Sequence, residues 1–259
     1  MACGVHRLRT VNFAVDRLVV NPPTDSVWDL GAFRMVAESR SATGDLGGDF
    51  YAFRLRGPKR LAVVIGDACG RGEEAALLLP GVLARVERLA ALGWRPSHFL
   101  DELNRSLVGQ LSSDRFVTGA AFEIDAQAGT ITIANAAHVP AVLRRASGEA
   151  TIIGRASGPP LGILPASSYF DETYRFGKGD VLILMTDGIV EAVETDLTEM
   201  PRLTALVAET LGGGGAVHRR VLERLAQQVG RAPDDMTLLS LELLAEVASP
   251  SRSNLQLAV

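Results

Sequence analysis

The sequence predicts an α+β sandwich, in which β-sheets pack on each other and helices cover them. The first observation is the order of the elements, since strand-like segments come first, helical segments follow, and strand-like segments then resume. This grouping is typical of α+β folds, whereas α/β folds alternate strands and helices. The second observation is composition, because 47% of the 259 residues are apolar and 22% are charged, which suits one large globular domain.

The predicted strands are short apolar segments bounded by turn residues. Leu61 to Ile65 is continuously apolar, which is typical of a strand buried on both faces, and Val181 to Thr186 has the same character. The remaining predicted strands cover residues 34–38, 49–56, 116–124, 130–135, 141–145 and 236–243. Residues 154–179 are rich in Gly, Pro and Ser and are predicted to be mostly loop.

Apolar residues recur at helical spacing from Glu73 to Leu92, which predicts a long amphipathic helix. Pro80 lies inside this segment, so we expect a kink or a late start. A second helix is predicted from Phe99 to Gln110, with Ser97 as its N-cap. Two further helices are predicted over residues 203–211 and 217–229, with a flexible glycine break over residues 212–215.

The predicted elements all fall in residues 31–245, which we expect to form one domain. Residues 1–30 are interpreted as a lead segment, in which Pro22 and Pro23 favour extended backbone. Residues 246–259 include a polar Ser-Pro-Ser-Arg-Ser-Asn stretch and are predicted to be a disordered tail.

Charge and cysteine content exclude several classes of protein. The 26 basic and 30 acidic residues are interspersed and give a net charge of −4, so no nucleic-acid partner is expected. The 2 cysteines, Cys3 and Cys69, cannot build a disulfide framework, which indicates the reducing cytoplasm. The N-terminus has no secretory signal pattern, and no apolar run approaches the length of about 20 residues that spans a bilayer. No membrane association is expected.

Acidic residues stand at turns in four short motifs, and two of these turns follow a buried strand. The motifs contain Asp49, Asp67, Asp187 and the adjacent pair Asp234 and Asp235. Asp is also common in turns and helix caps, so a single motif would carry little weight. Carboxylates without imidazole or thiolate companions suit Mg²⁺ or Mn²⁺ rather than zinc. The set therefore predicts a metal-dependent hydrolase.

Clustered carboxylates repel one another unless a cation compensates their charge. Two divalent ions about 3.5–4 Å apart, sharing one carboxylate, would resolve that repulsion and activate a water molecule for attack on phosphorus. Phosphate monoesters hydrolyse very slowly unaided, so electrostatic assistance of this kind is required.

Seven motifs together resemble the SpoIIE-type branch of the PPM, or type 2C, protein phosphatases over roughly residues 30–245. They are Gly-Gly-Asp-Phe-Tyr (47–51), Ile-Gly-Asp-Ala-Cys-Gly-Arg-Gly with Ala-Ala-Leu (65–77), Arg-Phe-Val-Thr (115–118), Asn-Ala-Ala-His-Val-Pro (135–140), Gly-Pro-Pro-Leu-Gly-Ile (158–163), Thr-Asp-Gly-Ile-Val-Glu-Ala (186–192) and Asp-Asp-Met-Thr-Leu (234–238).

The resemblance implies an αββα sandwich of two mainly antiparallel sheets, with two Mn²⁺ or Mg²⁺ ions held between them. It implies metal ligation by Asp49, Asp67, Ala68, Asp187 and Asp234. Asp67 would bridge the ions, Ala68 would contribute its carbonyl, and Asp67 and Asp187 would act through metal-activated water. Asp235 is interpreted as a second-shell residue or an alternative ligand.

The resemblance also implies a partner-switching circuit, whose substrate is a phosphorylated anti-sigma-factor antagonist of the STAS type. Residues 73–110 are the candidate surface for a homodimer or a regulatory partner, and Pro80 is unexpected there. Ala52 replaces a frequent acidic residue, and Ala137 replaces the usual Gly. Neither change removes a proposed ligand.

Two other functions stay open at this point, a catalytically silent binding module with this fold and a small-molecule phosphohydrolase. Arg40 and Arg71 are candidates for phosphate binding, because Arg forms forked contacts with phosphate. His138 is interpreted as a loop histidine that orients backbone groups rather than a general acid. Cys69 is interpreted as a buried thiol, since the Arg that a cysteine phosphatase loop needs is replaced by Ala75.

Overall fold

Two β-sheets pack face to face, and helices cover the outer face of each. The computed structural model describes residues 9–12, 18–20, 26–40, 47–70, 73–92, 94–112, 114–193, 199–227 and 234–244. Within these residues the layers follow the order helix, sheet, sheet, helix. The predicted αββα sandwich is therefore confirmed.

Within the described ranges the larger sheet has 7 strands, which are antiparallel to their neighbours except for one parallel pair, β1 with β3. In spatial order they are β1 (Arg9–Asn12), β3 (Ser26–Leu30), β4 (Phe33–Arg40), β13 (Met236–Leu243), β12 (Val181–Met185), β9 (Ala141–Arg144) and β10 (Ala150–Ile153).

The smaller sheet has 6 strands in the part of the chain that the structure describes, and each neighbouring pair there is antiparallel. In spatial order they are β11 (Glu172–Arg175), β8 (Thr130–Ala136), β7 (Val117–Asp125), β6 (Arg60–Ala68), β5 (Asp49–Leu55) and β2 (Leu18–Val20).

Strand β6 shows why its sequence is continuously apolar. Side chains alternate between the two faces of a strand, so Leu61, Val63 and Ile65 enter the core between the sheets. Ala62 and Val64 point the other way and pack under the helices. When both faces of a strand are buried, its apolar residues do not alternate with polar ones. The structure therefore confirms the burial on both faces that the sequence predicts for this strand.

Each sheet carries its own helix layer. The helices α1 (Glu73–Leu92) and α2 (Pro96–Leu107) cover the smaller sheet. The helices α3 (Asp187–Val193), α4 (Pro201–Glu209) and α5 (Gly214–Gln227) cover the larger sheet. Helix α1 has the predicted bounds and runs through Pro80 as one element.

Two local predictions are wrong, and tertiary contacts explain both. The N-cap of α2 is Arg95 rather than Ser97, and the carboxylate of Asp171, distant in sequence, accepts a hydrogen bond from the Ser97 amide at 2.7 Å. Residues 154–179 are mostly loop, as predicted, apart from strand β11, which pairs with β8. Helix α5 begins inside the predicted glycine break, where Glu242 accepts a hydrogen bond from the Gly214 amide at 2.8 Å.

Strands also form before residue 31, where the domain was expected to start. Strands β1 and β3 belong to the larger sheet and β2 belongs to the smaller one. The domain limits themselves stay a prediction. The expected tail, residues 246–259, lies outside the described residues. Among the helices in the described ranges, none combines the length and the apolar character that crossing a membrane requires.

Candidate metal centre

Two of the predicted aspartates face each other on neighbouring strands of the smaller sheet. Asp49 begins β5, Asp67 lies near the end of β6, and the antiparallel register pairs them directly. Like charges in directly opposite positions destabilise a sheet. The pairing of Asp49 with Asp67 therefore lowers the stability of this strand pair unless their charge is compensated.

The other three aspartates come from the same end of the larger sheet. Asp187 follows β12 by two positions and is the first residue of α3. Asp234 and Asp235 immediately precede β13. Because β12 and β13 are antiparallel, with Met185 opposite Leu238, the end of one strand lies beside the start of the other.

A pair of glycines brings the two groups of carboxylates together. The Gly48 amide donates a hydrogen bond to Asp235 Oδ2 at 2.8 Å, across the gap between the sheets. A Cβ atom added at Gly48 would lie 2.5 Å from both Asp67 Oδ1 and the Ala68 carbonyl oxygen. A Cβ added at Gly47 would lie 2.6 Å from Asp235 Oδ2. Gly47 and Gly48 therefore let oxygens from both sheets approach one short stretch of backbone.

Burial and mutual repulsion raise the pKa values of three of these carboxyl groups. Desolvation, followed by the charges of Asp187, Asp234 and Asp235, raises the pKa of Asp67 to about 7. Burial also raises the pKa of Asp49 well above its usual range, against hydrogen bonds that lower it. The pKa of Asp187 is raised first by desolvation and then by Asp234.

These residues fit a hard divalent cation in chemistry and in location. The donors are carboxylate oxygens and one carbonyl, the glycine pair leaves room for oxygens to converge, and the charge repulsion is of the kind that a cation relieves. Within the described ranges, no three acidic, His or Cys side chains stand close enough together to hold an ion without reorienting. The ligand set therefore stays a proposal.

Two threonines that received no role from the sequence hold Asp49 in place. Thr186 donates a hydrogen bond to Asp49 Oδ2 at 2.7 Å. The Thr237 side chain also lies close enough to Asp49 to lower the pKa of that carboxyl group. The sequence did contain a signal for these two residues. Each threonine lies within three positions of a candidate Asp at the end of a buried strand, in Thr-Asp-Gly and in Asp-Asp-Met-Thr.

His138 is buried, and its ring contacts Thr118 through Nδ1 at 3.1 Å and the Met185 carbonyl through Nε2 at 3.1 Å. Burial lowers the pKa of His138 to about 4, so the ring is neutral at pH 7. The interpretation of His138 as a residue that orients backbone groups is confirmed. Asn135 holds the turn through hydrogen bonds to the His138 amide and carbonyl groups.

The structure does not bring Arg40 to the carboxylates. Its side chain pairs with Glu38 on the face of β4 that points towards α3 and α5, in a small pocket lined also by Ile189 and Leu222. Ser39, on the opposite face, is the β4 residue that approaches the carboxylate side. Arg71 lies outside the described residues. Cys69 is partly buried, and its sulfur accepts a hydrogen bond from the Phe116 amide at 2.9 Å.

The sequence is similar to curated proteins over most of its length. It is 26% identical over 222 residues to phosphoserine phosphatase RsbU of Bacillus subtilis, which covers 85% of this chain and 64% of that protein. It is 24% identical to protein IcfG of Synechocystis, covering 86% of this chain and 39% of that protein. The chain thus spans less than two thirds of the length of these relatives.

Solved structures support the fold. The RsbU and RsbW domains of Rv1364c from Mycobacterium tuberculosis superpose with a TM-score of 0.71 at 22% identity, covering 85% of this chain and 62% of that one. Two more distant matches were solved with metal. RsbX with magnesium has a TM-score of 0.65 at 19% identity, covering 84% and 98% of the two chains. The catalytic domain of phosphatase PstP with 2 manganese ions has a TM-score of 0.60 at 16% identity, covering 82% and 99%.

A family model decides the classification. The model for stage II sporulation protein E, SpoIIE, matches residues 57–244, which is more than half of the chain. The match includes Asp67, Asp187 and the Asp234–Asp235 pair, together with the strands that carry them. The chain therefore belongs to the SpoIIE family.

Proposed function

We propose that the protein is a metal-dependent serine/threonine protein phosphatase that acts in the cytoplasm. The observation that carries the proposal is the convergence of carboxylates from both sheets around Gly47 and Gly48, with a raised pKa at Asp67 that results from burial and from three like charges. Five acidic side chains at one end of a sandwich are costly unless they bind a cation. Membership of a family whose relative RsbU is a phosphoserine phosphatase supports the same function.

Each residue has a role that its position permits. Asp67 is paired with Asp49 in the strand register and interacts with the charges of Asp187, Asp234 and Asp235, which suits a bridging ligand. The neighbouring Ala68 carbonyl suits an additional one. Asp187 and Asp234 would complete the ligand set from the larger sheet. Two bound Mn²⁺ or Mg²⁺ ions would supply Lewis-acid activation of a water molecule and neutralise charge on the phosphoryl group.

Asp235 is better suited to supporting the site than to binding metal. One of its carboxylate oxygens accepts the hydrogen bond of the Gly48 amide and so fixes the glycine pair relative to β13. The family resemblance of the Asp-Asp-Met-Thr motif favours Asp234 as the ligand, and this contact with the backbone gives Asp235 a supporting role. Asp234 is therefore the metal ligand that we propose from this pair.

The proposed substrate is a phosphorylated regulatory protein, namely an anti-sigma-factor antagonist of the STAS type within a partner-switching circuit. The family resemblance of the sequence supports this choice. Helices α1 and α2, in residues 73–110, are proposed as the surface for a homodimer or a regulatory partner. Leu77 on α1 is 81% exposed, so an apolar side chain is available there. The domain is proposed to span residues 31–245.

The decisive experiment is hydrolysis of p-nitrophenyl phosphate and of a phosphoserine protein by the full chain with MnCl₂. We expect activity that EDTA removes, and a loss of at least about 100-fold in Asp67→Asn and Asp187→Asn, because each removes a carboxylate that would hold the cations whose positive charge stabilises the transition state. Asp125→Asn is the matched control, since Asp125 pairs with Arg60 at the other end of β7. It should keep wild-type activity.

The competing functions give different results in the same assays. A silent binding module would hydrolyse neither substrate while still folding, and this outcome would overturn the proposal. A small-molecule phosphohydrolase would prefer nucleotides or sugar phosphates to phosphoproteins. That preference would be consistent with the proposed metal chemistry and would contradict the proposal that the substrate is a protein.

A further inference from the structure

We propose that Thr186 and Thr237 are positioning residues that fix the Asp49 carboxylate across the gap between the two sheets, and so set the geometry of the metal centre. The inference rests on the proposed function, because it assigns Asp49 to that centre. It adds two hydroxyl groups that the larger sheet contributes to a ligand of the smaller sheet.

The Thr186 hydroxyl takes part in two hydrogen bonds, one as acceptor and one as donor. Its hydroxyl accepts a hydrogen bond from the Thr237 amide at 2.9 Å. A hydroxyl has a single hydrogen, so that hydrogen is available for Asp49 Oδ2, which lies 2.7 Å away. Because the Thr237 amide holds the Thr186 hydroxyl in place, the Thr186 hydroxyl in turn fixes the orientation of the Asp49 carboxylate.

A second chain of hydroxyl groups reaches Asp49 from the neighbouring strand. Thr237 pairs with Ser39 in the register of β13 and β4, and their hydroxyl oxygens lie 2.9 Å apart. The Thr237 side chain in turn lies close enough to Asp49 to lower the pKa of that carboxyl group. The chain Ser39, Thr237, Asp49 therefore crosses from the larger sheet to the smaller one.

These contacts link Asp49 to the segments that carry the other candidate ligands. Thr186 is joined by one peptide bond to Asp187, and Thr237 lies three residues after Asp234. The Thr186 amide donates back to the Thr237 carbonyl at 3.0 Å, so the two threonines form one unit. Displacing this unit would move ligands of both sheets relative to each other.

Burial indicates that packing alone does not explain the threonines. Thr186 and Thr237 are both 0% exposed, and valine would fill nearly the same volume without a polar atom to satisfy. A buried hydroxyl adds stability only through its hydrogen bonds. The Thr186 hydroxyl donates its hydrogen bond to the carboxylate of Asp49, which suits support of a ligand by an outer hydrogen bond.

The test is Mn²⁺ affinity, measured by isothermal titration calorimetry on the full chain. Thr186→Val should weaken Mn²⁺ binding by about 10-fold or more, the range reported for residues that orient ligands. Thr186→Ser, which keeps the hydroxyl, should stay within about three-fold of wild type. Thr132→Val is the control, because the Thr132 hydroxyl contacts Thr173 on a distant strand pair, and its affinity should be unchanged.

Thr237→Val and Thr237→Ser repeat the comparison independently. The valine variant should again bind Mn²⁺ more weakly than the serine variant. If a valine variant does not fold, Ser39→Ala is measured instead, because Ser39 is only partly buried and its replacement is less disruptive. Loss of the Ser39 hydroxyl should weaken Mn²⁺ binding about three-fold. Equal affinity in wild type and in the hydroxyl-deleted variants overturns the inference and leaves the proposed function standing. Equal weakening in the Val and Ser variants also overturns it, because the loss of affinity would then not depend on whether the hydroxyl group is present. A wild-type protein that binds no Mn²⁺ overturns both.

Discussion

His138 donates a hydrogen bond from Nε2 to the backbone carbonyl oxygen of Met185 and thereby joins the two sheets at the candidate metal centre. A carbonyl can only accept, so Nε2 carries the proton and Nδ1 accepts from the Thr118 hydroxyl. Thr118 lies on β7 opposite Asp67, and Met185 ends the strand before Asp187. The neutral ring therefore spans the segments that carry two candidate ligands.

This arrangement predicts a pH-dependent loss of stability. The pKa of His138 is lowered by burial to about 4, whereas in the unfolded chain it is about 6.5. Above pH 6.5 the full stabilisation is present, and as the pH falls towards 4 the unfolded chain gains a proton that the folded protein does not. We expect His138 to account for a loss of at most about 3 kcal/mol in the free energy of unfolding.

Urea denaturation of wild type and His138→Gln between pH 7.5 and 4.5 checks this expectation. Other titrating groups, including the buried His218, remain in both proteins and cancel in the difference. The stability advantage of wild type should narrow as the pH falls. A constant difference would show that His138 is not buried as a neutral ring.

Ala137 is expected to be a strained position. Its φ of 55° lies in the left-handed region, where a Cβ atom is unfavourable and glycine is not. Ala137→Gly should therefore raise the free energy of unfolding by about 0.5–1 kcal/mol. Thermal denaturation should show the corresponding increase in Tm, and a lower Tm would contradict the expected relief of strain.

Gly48 should not tolerate a side chain. The added Cβ of Gly48→Ala would meet the Ala68 carbonyl and Asp67 Oδ1 at 2.5 Å, so the backbone must shift at the proposed ligands. We expect a loss of about 1–3 kcal/mol in stability and weaker Mn²⁺ binding. Gly215→Ala is the matched control, because the Cβ position there is open and the residue lies in the first turn of α5. It should be neutral or slightly stabilising, by about 0.5 kcal/mol.

Asp67→Asn should stabilise the protein in EDTA while it removes activity. Because the folded-state pKa of Asp67 is raised to about 7, ionisation above that pH opposes folding, and protonation below it relieves the repulsion. The variant should gain about 1–3 kcal/mol at pH 8, and the gain should shrink as the pH falls towards 5. Denaturant titrations at the two pH values measure it. A variant less stable than wild type at pH 8 would contradict the repulsion between these carboxylates.

The sequence determined the layered architecture, because hydrophobic periodicity is a local property. Leu61 to Ile65 predicted a strand buried on both faces, and the spacing from Glu73 to Leu92 predicted the bounds of α1. The ordered acidic motifs likewise predicted the family, which the SpoIIE model confirms. These features follow from residues that are close in the chain.

The tertiary structure decided which side chains act on one another. Alternation along β4 sends Arg40 towards α5 and Ser39 towards Thr237, and only the register of β4 with β13 determines that outcome. The cap that Asp171 gives to α2 and the support that Thr186 gives to Asp49 join residues 74 and 137 positions apart. Such contacts depend on how strands pair and sheets stack, so the sequence could name the carboxylates but not the hydroxyl groups that orient them.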